Sequence, residues 1–262
     1  MERKAVFFDI DGTLSDEMTF QIPESTKEAL TKARENGHLM FINTGRTACT
    51  LEKQIKALGL DGYVCGCGTN VIFHGEDLFY DDLPAPLRQR IINASFECRV
   101  ENVLEGKNGI YFPETLQDPY IRGFKARYEQ QGFPVSLYHP GDLVPFEKMA
   151  LWYFPESDIE SFKNQFKGEL DFIQRADNFL EIVPLGYSKA TGIKTLIDHL
   201  DIPWEDCISI GDSTNDLPML EYTKESVAMG NSNPLLFDKV TYITTDINDN
   251  GIYNALQHFH LI

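Results

Sequence analysis

The sequence predicts an α/β protein with a doubly wound, parallel-sheet (Rossmann-like) core and an inserted α+β domain. Three observations predict it. Short apolar runs alternate with helix-period stretches at the start of the chain, the texture changes after Tyr63 with a boundary near Asp82, and the earlier rhythm resumes from Ser188. The core is assigned to residues 1–82 and 185–262, and the insertion to residues 83–184.

Ala5 to Phe8 is a continuous apolar run ending at Asp9, as in a strand buried on both faces, and Gly12 breaks it. Ser25 and Glu28 stand at capping-box spacing; Ala29, Leu30 and Ala33 follow at helical intervals until Gly37 supplies a stop. Leu39 to Ile42 is the next apolar run, followed by Thr44-Gly45-Arg46 and a helical pattern of Leu51, Ile55 and Leu58 closed by Gly59. This β-α-β-α order implies right-handed crossovers. Val71 to Phe73 and Leu78 to Tyr80 flank His74-Gly75-Glu76-Asp77, a hairpin signal. In the insertion, helical stretches (Leu87 to Phe96, Tyr120 to Gln130, Ile159 to Phe166) alternate with strand-like ones (Val100 to Leu104, Gly109 to Phe112, Met149 to Phe154, Phe179 to Val183). The core resumes with a helix to Leu200, a strand Cys207 to Ile210 and a helix after Asn215. Strands Ser226 to Met229 and Tyr242 to Thr244 and a terminal helix from Ile252 to Phe259 follow.

Composition narrows the function. Hydrophobic residues at 42% and charged residues at 24% describe a folded chain rather than a disordered one. Asp and Glu total 40 against 23 Lys and Arg, a formal charge of -17, so the surface repels nucleic-acid backbones and anionic lipids. Neither nucleic acid nor membrane is expected as a partner, and no apolar stretch is long enough for a signal or spanning segment. A phosphate site in such a field needs local positive charge from a cation, a lysine or helix N-termini. The five cysteines, at 49, 65, 67, 98 and 207, form no dense framework and point to a reduced, cytoplasmic setting. Monomer and homodimer both remain open.

The string Phe7-Phe8-Asp9-Ile10-Asp11-Gly12-Thr13-Leu14 places two acids two positions apart at the carboxyl end of the first strand, where open α/β sheets bind ligands. Carboxylates so close either share a proton or hold a metal, and oxygen donors of this kind suit Mg²⁺. Ile208 to Asp216 repeats the plan of strand, glycine, acid and helix start. If its strand neighbours the first, Asp212 joins Asp9 and Asp11 around one cation. Asp216 either orients metal waters or Lys189, or caps a helix; Asn215 either donates to phosphate or caps. Thr44 and Gly45, between a strand and a helix, form either an anion cradle or a plain N-terminal cap. Lys189 opens a helix, where the macrodipole disfavours a cation, so an anionic partner is the alternative to a surface role.

Together these residues suggest phosphoryl transfer, with Asp9 attacking phosphorus in line and Asp11 protonating the leaving oxygen and then activating water. A cation and Lys189 would neutralise the phosphoryl oxygens. At this point the sequence resembles the haloacid dehalogenase superfamily of phosphohydrolases, particularly Cof-type members with a large α+β cap. The resemblance rests on Asp9 and Asp11, Thr44, Lys189, and Asp212 with Asp216, in that order, and extends to Val227 to Asn231 and Asp249 to Ile252. It implies that Asp9 is the nucleophile and Asp11 the acid/base. It further implies that Asp9, Asp212 and the Asp11 backbone carbonyl hold Mg²⁺, and that Thr44, Lys189 and Asn215 bind phosphate. A small phosphorylated metabolite, with sugar phosphates first, is the implied substrate.

One departure is local: such proteins usually carry Asn-Gly after the third strand, where this chain has Gly66-Cys67-Gly68. The Cys65-x-Cys67 pair lacks the second pair or histidine that a soft-metal site needs. Two other functions use the same motifs: a sugar phosphomutase, and a non-catalytic metabolite-binding module, against which the intact acid and lysine set argues. A receiver domain also has an acidic pair but is far shorter.

Overall fold

The computed structural model describes residues 2–262. Along the chain run β1 (Ala5–Phe8), α1 (Glu24–Glu35), β2 (Leu39–Asn43), α2 (Lys53–Lys56), β3 (Gly62–Cys65), β4 (Asn70–Phe73) and β5 (Glu76–Tyr80). Then come α3 (Ala85–Glu97), β6 (Glu101–Glu105), β7 (Ile110–Pro113), α4 (Pro119–Gln130), β8 (Val135–Tyr138), β9 (Lys148–Trp152), α5 (Ile159–Gln165), β10 (Leu170–Ala176) and β11 (Phe179–Pro184). Last are α6 (Lys189–His199), β12 (Cys207–Gly211), α7 (Leu217–Tyr222), β13 (Glu225–Ala228), β14 (Tyr242–Ile243) and α8 (Gly251–His258). The chain divides into two compact units. The first comprises the chain up to Gly45, Glu52–Tyr80 and Ser188–Ile262; the second comprises Arg46–Leu51 and Asp81–Tyr187.

The first unit is built on a sheet of order β14-β13-β12-β1-β2-β3-β4-β5, parallel from β14 to β3 and antiparallel beyond. Every residue of β1, β2 and β12 is buried, which is why they read as unbroken apolar runs. Phe7 and Phe41 stack across neighbouring strands with ring centroids 5.2 Å apart, on the face that α6 covers with Ile193, Leu196 and Ile197. Because β1 sits between β2 and β12, crossovers leave it in both directions and the carboxyl ends of these strands frame a crevice, the usual ligand site of such sheets.

Three local expectations are corrected. Ser25 is inside α1, whose N-cap is Pro23 with no side-chain hydrogen bond, so the capping box does not form. The stop at Gly37 does: with φ +91°, it lets Gly37 and His38 donate to the carbonyls of Arg34 and Ala33, a Schellman motif. The helix expected around Leu51, Ile55 and Leu58 shrinks to the single turn of α2, because Leu51 is extended and belongs to the second unit. The expected four-residue hairpin loop is also tighter, since only His74 and Gly75, both with positive φ, connect β4 to β5, while Glu76 and Asp77 are in the strand.

The second unit has a sheet of order β10-β11-β9-β6-β7-β8, antiparallel except for β7 with β8. Leu104, Met149, Leu151 and Ile182 pack with Ile91 and Ile92 of α3 and Phe162 of α5. Val103, Ala150 and Trp152 join Ile121, Phe124 and Tyr128 of α4 in a separate cluster. Strands β8 and β10 carry no expectation from sequence: both are edge strands, largely exposed or half-buried, without a clean apolar alternation.

Candidate active site

Asp9 follows β1 directly, and its N–H donates to the Ile210 carbonyl at 3.0 Å, which extends the β1–β12 ladder by one step and brings the turn after β12 alongside. Asp212 lies in that turn. Side-chain oxygens of Asp9, Asp212 and Asp216 come within 4.8 Å of one another, and all three residues are buried. Asp11 is half-buried and its carboxylate stands outside this trio, although its charge is felt at Asp9.

Lys189 opens α6 and is only 2% exposed. Its Nζ donates to Oδ1 of Asp9 and, at 2.5 Å, to Oδ1 of Asp216. Ser188 caps α6 through the Thr191 N–H, and the Asn43 amide at the end of β2 donates to the Lys189 carbonyl at 2.9 Å. The lysine is thus fixed at its backbone as well as its tip. The other oxygen of Asp216, Oδ2, accepts the N–H groups of Asp212 and Ser213, each at 3.0 Å. Asp216 therefore holds Lys189 with one oxygen and shapes the Asp212 turn with the other.

Gly12 packs against the Asp212 carboxylate. A Cβ at Gly12 would lie 2.4 Å from Asp212 Oδ2, and its φ of +84° is itself the glycine region. Hydrogen bonds of two further side chains, Thr13 and Asn231, complete the frame. The Thr13 hydroxyl donates to Asp212 Oδ1 at 2.8 Å, and the Asn231 amide donates to the Gly12 carbonyl at 2.8 Å while its oxygen accepts the Ile247 N–H. Asn43 escaped notice; its signal is a polar residue closing a wholly buried strand.

Thr44 is buried, its N–H donates to the Val64 carbonyl at 2.9 Å, and its own carbonyl accepts the Cys67 N–H at 3.1 Å. Gly45 beside it is half-buried. Asn215 is half-buried and its side-chain oxygen accepts from the Ser213 hydroxyl. Cys67 has φ +57°, a conformation that Asn or Gly adopts at less cost. Among the described residues no cysteine joins a candidate metal cluster or a disulfide. His258 stacks on Tyr242 with centroids 3.8 Å apart, a packing role.

The electrostatics leave negative charge in excess. Burial pushes the Asp9 carboxyl well above the usual carboxylate range; Lys189 opposes the shift and Asp216, Asp212 and Asp11 reinforce it. Burial likewise raises Asp212 to about 7, with Asp216 adding to it and the Thr13 hydrogen bond and Lys189 pulling the other way. Burial works against the Lys189 ammonium, but Asp216 and Asp9 outweigh it and keep its pKa above that of an ordinary lysine. One ammonium does not neutralise this group of carboxylates. An all-oxygen donor set short of positive charge fits a hard divalent cation such as Mg²⁺.

Comparison with known proteins places these features in context. A sequence profile described as haloacid dehalogenase-like hydrolase matches residues 6–256. The Bacillus subtilis (strain 168) protein YkrA is 28% identical over 267 residues, covering 100% of both chains. A Yersinia pseudotuberculosis HMP-PP phosphatase is 28% identical over 262 residues, covering 96% of this chain and 93% of its own. The solved structure of the subclass IIB sugar phosphatase BT4131 superposes with a TM-score of 0.82 at 26% identity, covering 99% of this chain and 100% of its own.

Proposed function

We propose, for a chain that belongs to the haloacid dehalogenase-like hydrolase family and is a phosphatase of that type, that it is a Mg²⁺-dependent enzyme hydrolysing small phosphorylated metabolites, sugar phosphates foremost, through an aspartyl-phosphate on Asp9. The observation that carries the reading is the buried bridge of Lys189 between Asp9 and Asp216, within a carboxylate cluster that one lysine does not neutralise. The sugar phosphatase BT4131 and the HMP-PP phosphatases support a small phosphate ester as substrate.

In this reading Asp9, Asp212 and the Asp11 backbone carbonyl hold the cation, which when bound supplies the positive charge that lets both carboxylates stay ionised and offsets charge on the phosphoryl oxygens. An Asp9 carboxylate oxygen attacks phosphorus as the bond to the leaving oxygen breaks, and Asp11 gives that oxygen its proton. Asp11, now ionised, takes a proton from water; the water oxygen bonds phosphorus, the Asp9–phosphorus bond breaks, and inorganic phosphate leaves. Lys189 stays charged throughout and sits beside the oxygen that must pass its charge to phosphate and take it back. Thr44, Gly45 and Asn215 are assigned to the phosphoryl oxygens. The inserted unit is assigned the role of a cap that selects the leaving group.

Release of inorganic phosphate from a panel of phosphorylated metabolites, with Mg²⁺ and with excess chelator, tests this. Turnover is expected only with the metal. Asp9→Asn is expected to fold and not turn over, and protein quenched in acid during turnover is expected to carry a phosphoryl group on Asp9 by mass spectrometry. Full activity in chelator removes the cation, activity of Asp9→Asn removes the nucleophile, and an isomeric ester in place of free phosphate makes the enzyme a mutase.

A further inference from the structure

Asn43 closes β2 after Leu39, Met40, Phe41 and Ile42, and it is 0% exposed. A side-chain amide brings two donor hydrogens and an acceptor oxygen into a place that apolar neighbours do not satisfy. The satisfaction here is one-sided. The amide nitrogen donates to the Lys189 carbonyl at 2.9 Å and to Met219 Sδ, a weak acceptor, at 3.4 Å. The amide oxygen is buried and has no hydrogen-bond partner.

For stability alone, asparagine is a poor choice at this position. Leucine has the same branched outline, with methyl groups in place of the amide oxygen and nitrogen, and would leave no orphaned acceptor in the core. Nor does the Lys189 carbonyl depend on the amide. Lys189 is the first residue of α6, so the helix itself brings a donor to that oxygen, and Ser188 and Thr191 already form a capping box on the same turn.

What the amide adds is position. It ties the end of β2, one residue before Thr44, to the main chain of the lysine whose Nζ reaches Asp9 and Asp216. The first turn of α6 comes close enough for this because Gly192 lacks a side chain. A Cβ there would run into Val64 Cγ1, and Val64 is the residue paired with Asn43 across β2 and β3.

We propose that Asn43 is a positioning residue for phosphoryl transfer: its amide fixes the main chain of Lys189 so that the ammonium stands beside the Asp9 carboxylate. The inference rests on the reaction proposed above and adds a residue to it. A lysine tip rides on a flexible four-carbon stem, so freedom of its main chain becomes freedom of Nζ. Misplacing a group at the reacting centre by about 1 Å lowers turnover by up to about 10²-fold.

Asn43→Leu tests this, with Asn43→Ala as a second variant that cannot overpack. Each is made in the full chain and in a Lys189→Met background and is checked for folding by circular dichroism. Turnover of p-nitrophenyl phosphate and of the metabolite panel is measured at saturating Mg²⁺, and urea unfolding is measured without the metal. Asn43→Leu is expected to lower kcat by about 10–10²-fold in the otherwise unaltered chain. Once Lys189 is methionine the same change is expected to lower kcat by less than about twofold, because nothing is left to position. The urea midpoint of Asn43→Leu is expected to equal or exceed that of the wild type, the reverse of what a merely structural amide gives. Unchanged kcat in the folded variants, an equal loss in the Lys189→Met background, or a lowered midpoint for Asn43→Leu overturns the proposal and leaves the reaction standing. Unchanged kcat in Lys189→Met, or no turnover of any ester by the wild type, overturns the reaction and the proposal with it.

Discussion

Lys189 donates from a nearly solvent-free Nζ to Oδ1 of Asp9, 180 positions away in the chain, and holds Asp216 at the same time. That one ammonium is the only basic group among the described residues that ion-pairs with either carboxylate. Removing one partner from a buried ion pair leaves the other charges uncompensated and costs about 3–5 kcal/mol. Lys189→Met is therefore expected to lower the stability of the metal-free protein by roughly that amount in urea denaturation. It is also expected to lower kcat by about 10²–10³-fold, as the loss of one preorganised charge at a reacting oxygen does. Unchanged kcat would take Lys189 out of the reaction.

The raised carboxyls make a pH prediction with a definite sign. An unfolded aspartate titrates near about 3.9, whereas Asp212 titrates at about 7 in the folded state and Asp9 is also displaced upward. Between those values the folded state binds more protons than the unfolded one, so stability of the metal-free protein falls as pH rises through that window. Burial lowers the pKa of His38, which acts in the opposite sense below the ordinary histidine value of about 6.5. Measuring melting temperature with and without Mg²⁺ cancels that contribution. The increment due to Mg²⁺ is expected to grow from about pH 5 to about pH 7.5, since the metal needs ionised ligands. An increment that is flat or shrinking over that range contradicts the assignment of these carboxylates to the cation.

Gly12 tests the fit of the turn against its neighbour. A methyl group there meets Asp212 Oδ2 at 2.4 Å and its Cγ at 2.6 Å, and the backbone conformation is one that L-residues resist. Gly12→Ala is expected to cost about 1–3 kcal/mol in stability, as overpacking does. It is also expected to displace Asp212, so the stabilisation by Mg²⁺ seen in thermal melts should largely vanish. Retention of that stabilisation would mean Asp212 is not held where the cation binds.

Much of this site was legible before the structure, for identifiable reasons. Asp9 and Asp11 end a run of apolar residues, and such a run is the direct imprint of a strand buried on both faces. Lys189 carries a weaker imprint: a lysine opening a helix runs against the macrodipole, which leaves a surface role open, and its place in a series of motifs is what decided for an anionic partner. Strand order was not legible, because pairing of Phe8 with Ile210 depends on chain segments some two hundred positions apart. The short α2 shows the same limit. Leu51 has the spacing of a helical residue, but the segment around it folds with the second unit, where Cys49 donates to the Gly106 carbonyl, and that attachment overrides the local pattern. Asn231 and Thr13 could not be recognised as braces, since each acts on a turn that exists only once distant strands have met.

Asp216 offers the most discriminating substitution, because its carboxylate is near enough to Asp9 and Asp212 to share a cation yet already has both oxygens engaged. An asparagine has one acceptor oxygen and one donor amide. Whichever way it turns, the amide faces a donor, either the Lys189 ammonium or the two N–H groups of the Asp212 turn. Asp216→Asn is therefore expected to cost about 2–4 kcal/mol in stability, the penalty for unsatisfied buried partners of a charged group. If Asp216 positions Lys189 and Asp212 rather than binding the metal itself, the variant's Mg²⁺ affinity, measured by calorimetry on the folded protein, should fall by less than about tenfold while kcat falls by more. The opposite split, with affinity collapsing and kcat at saturating Mg²⁺ preserved, would place Asp216 among the ligands.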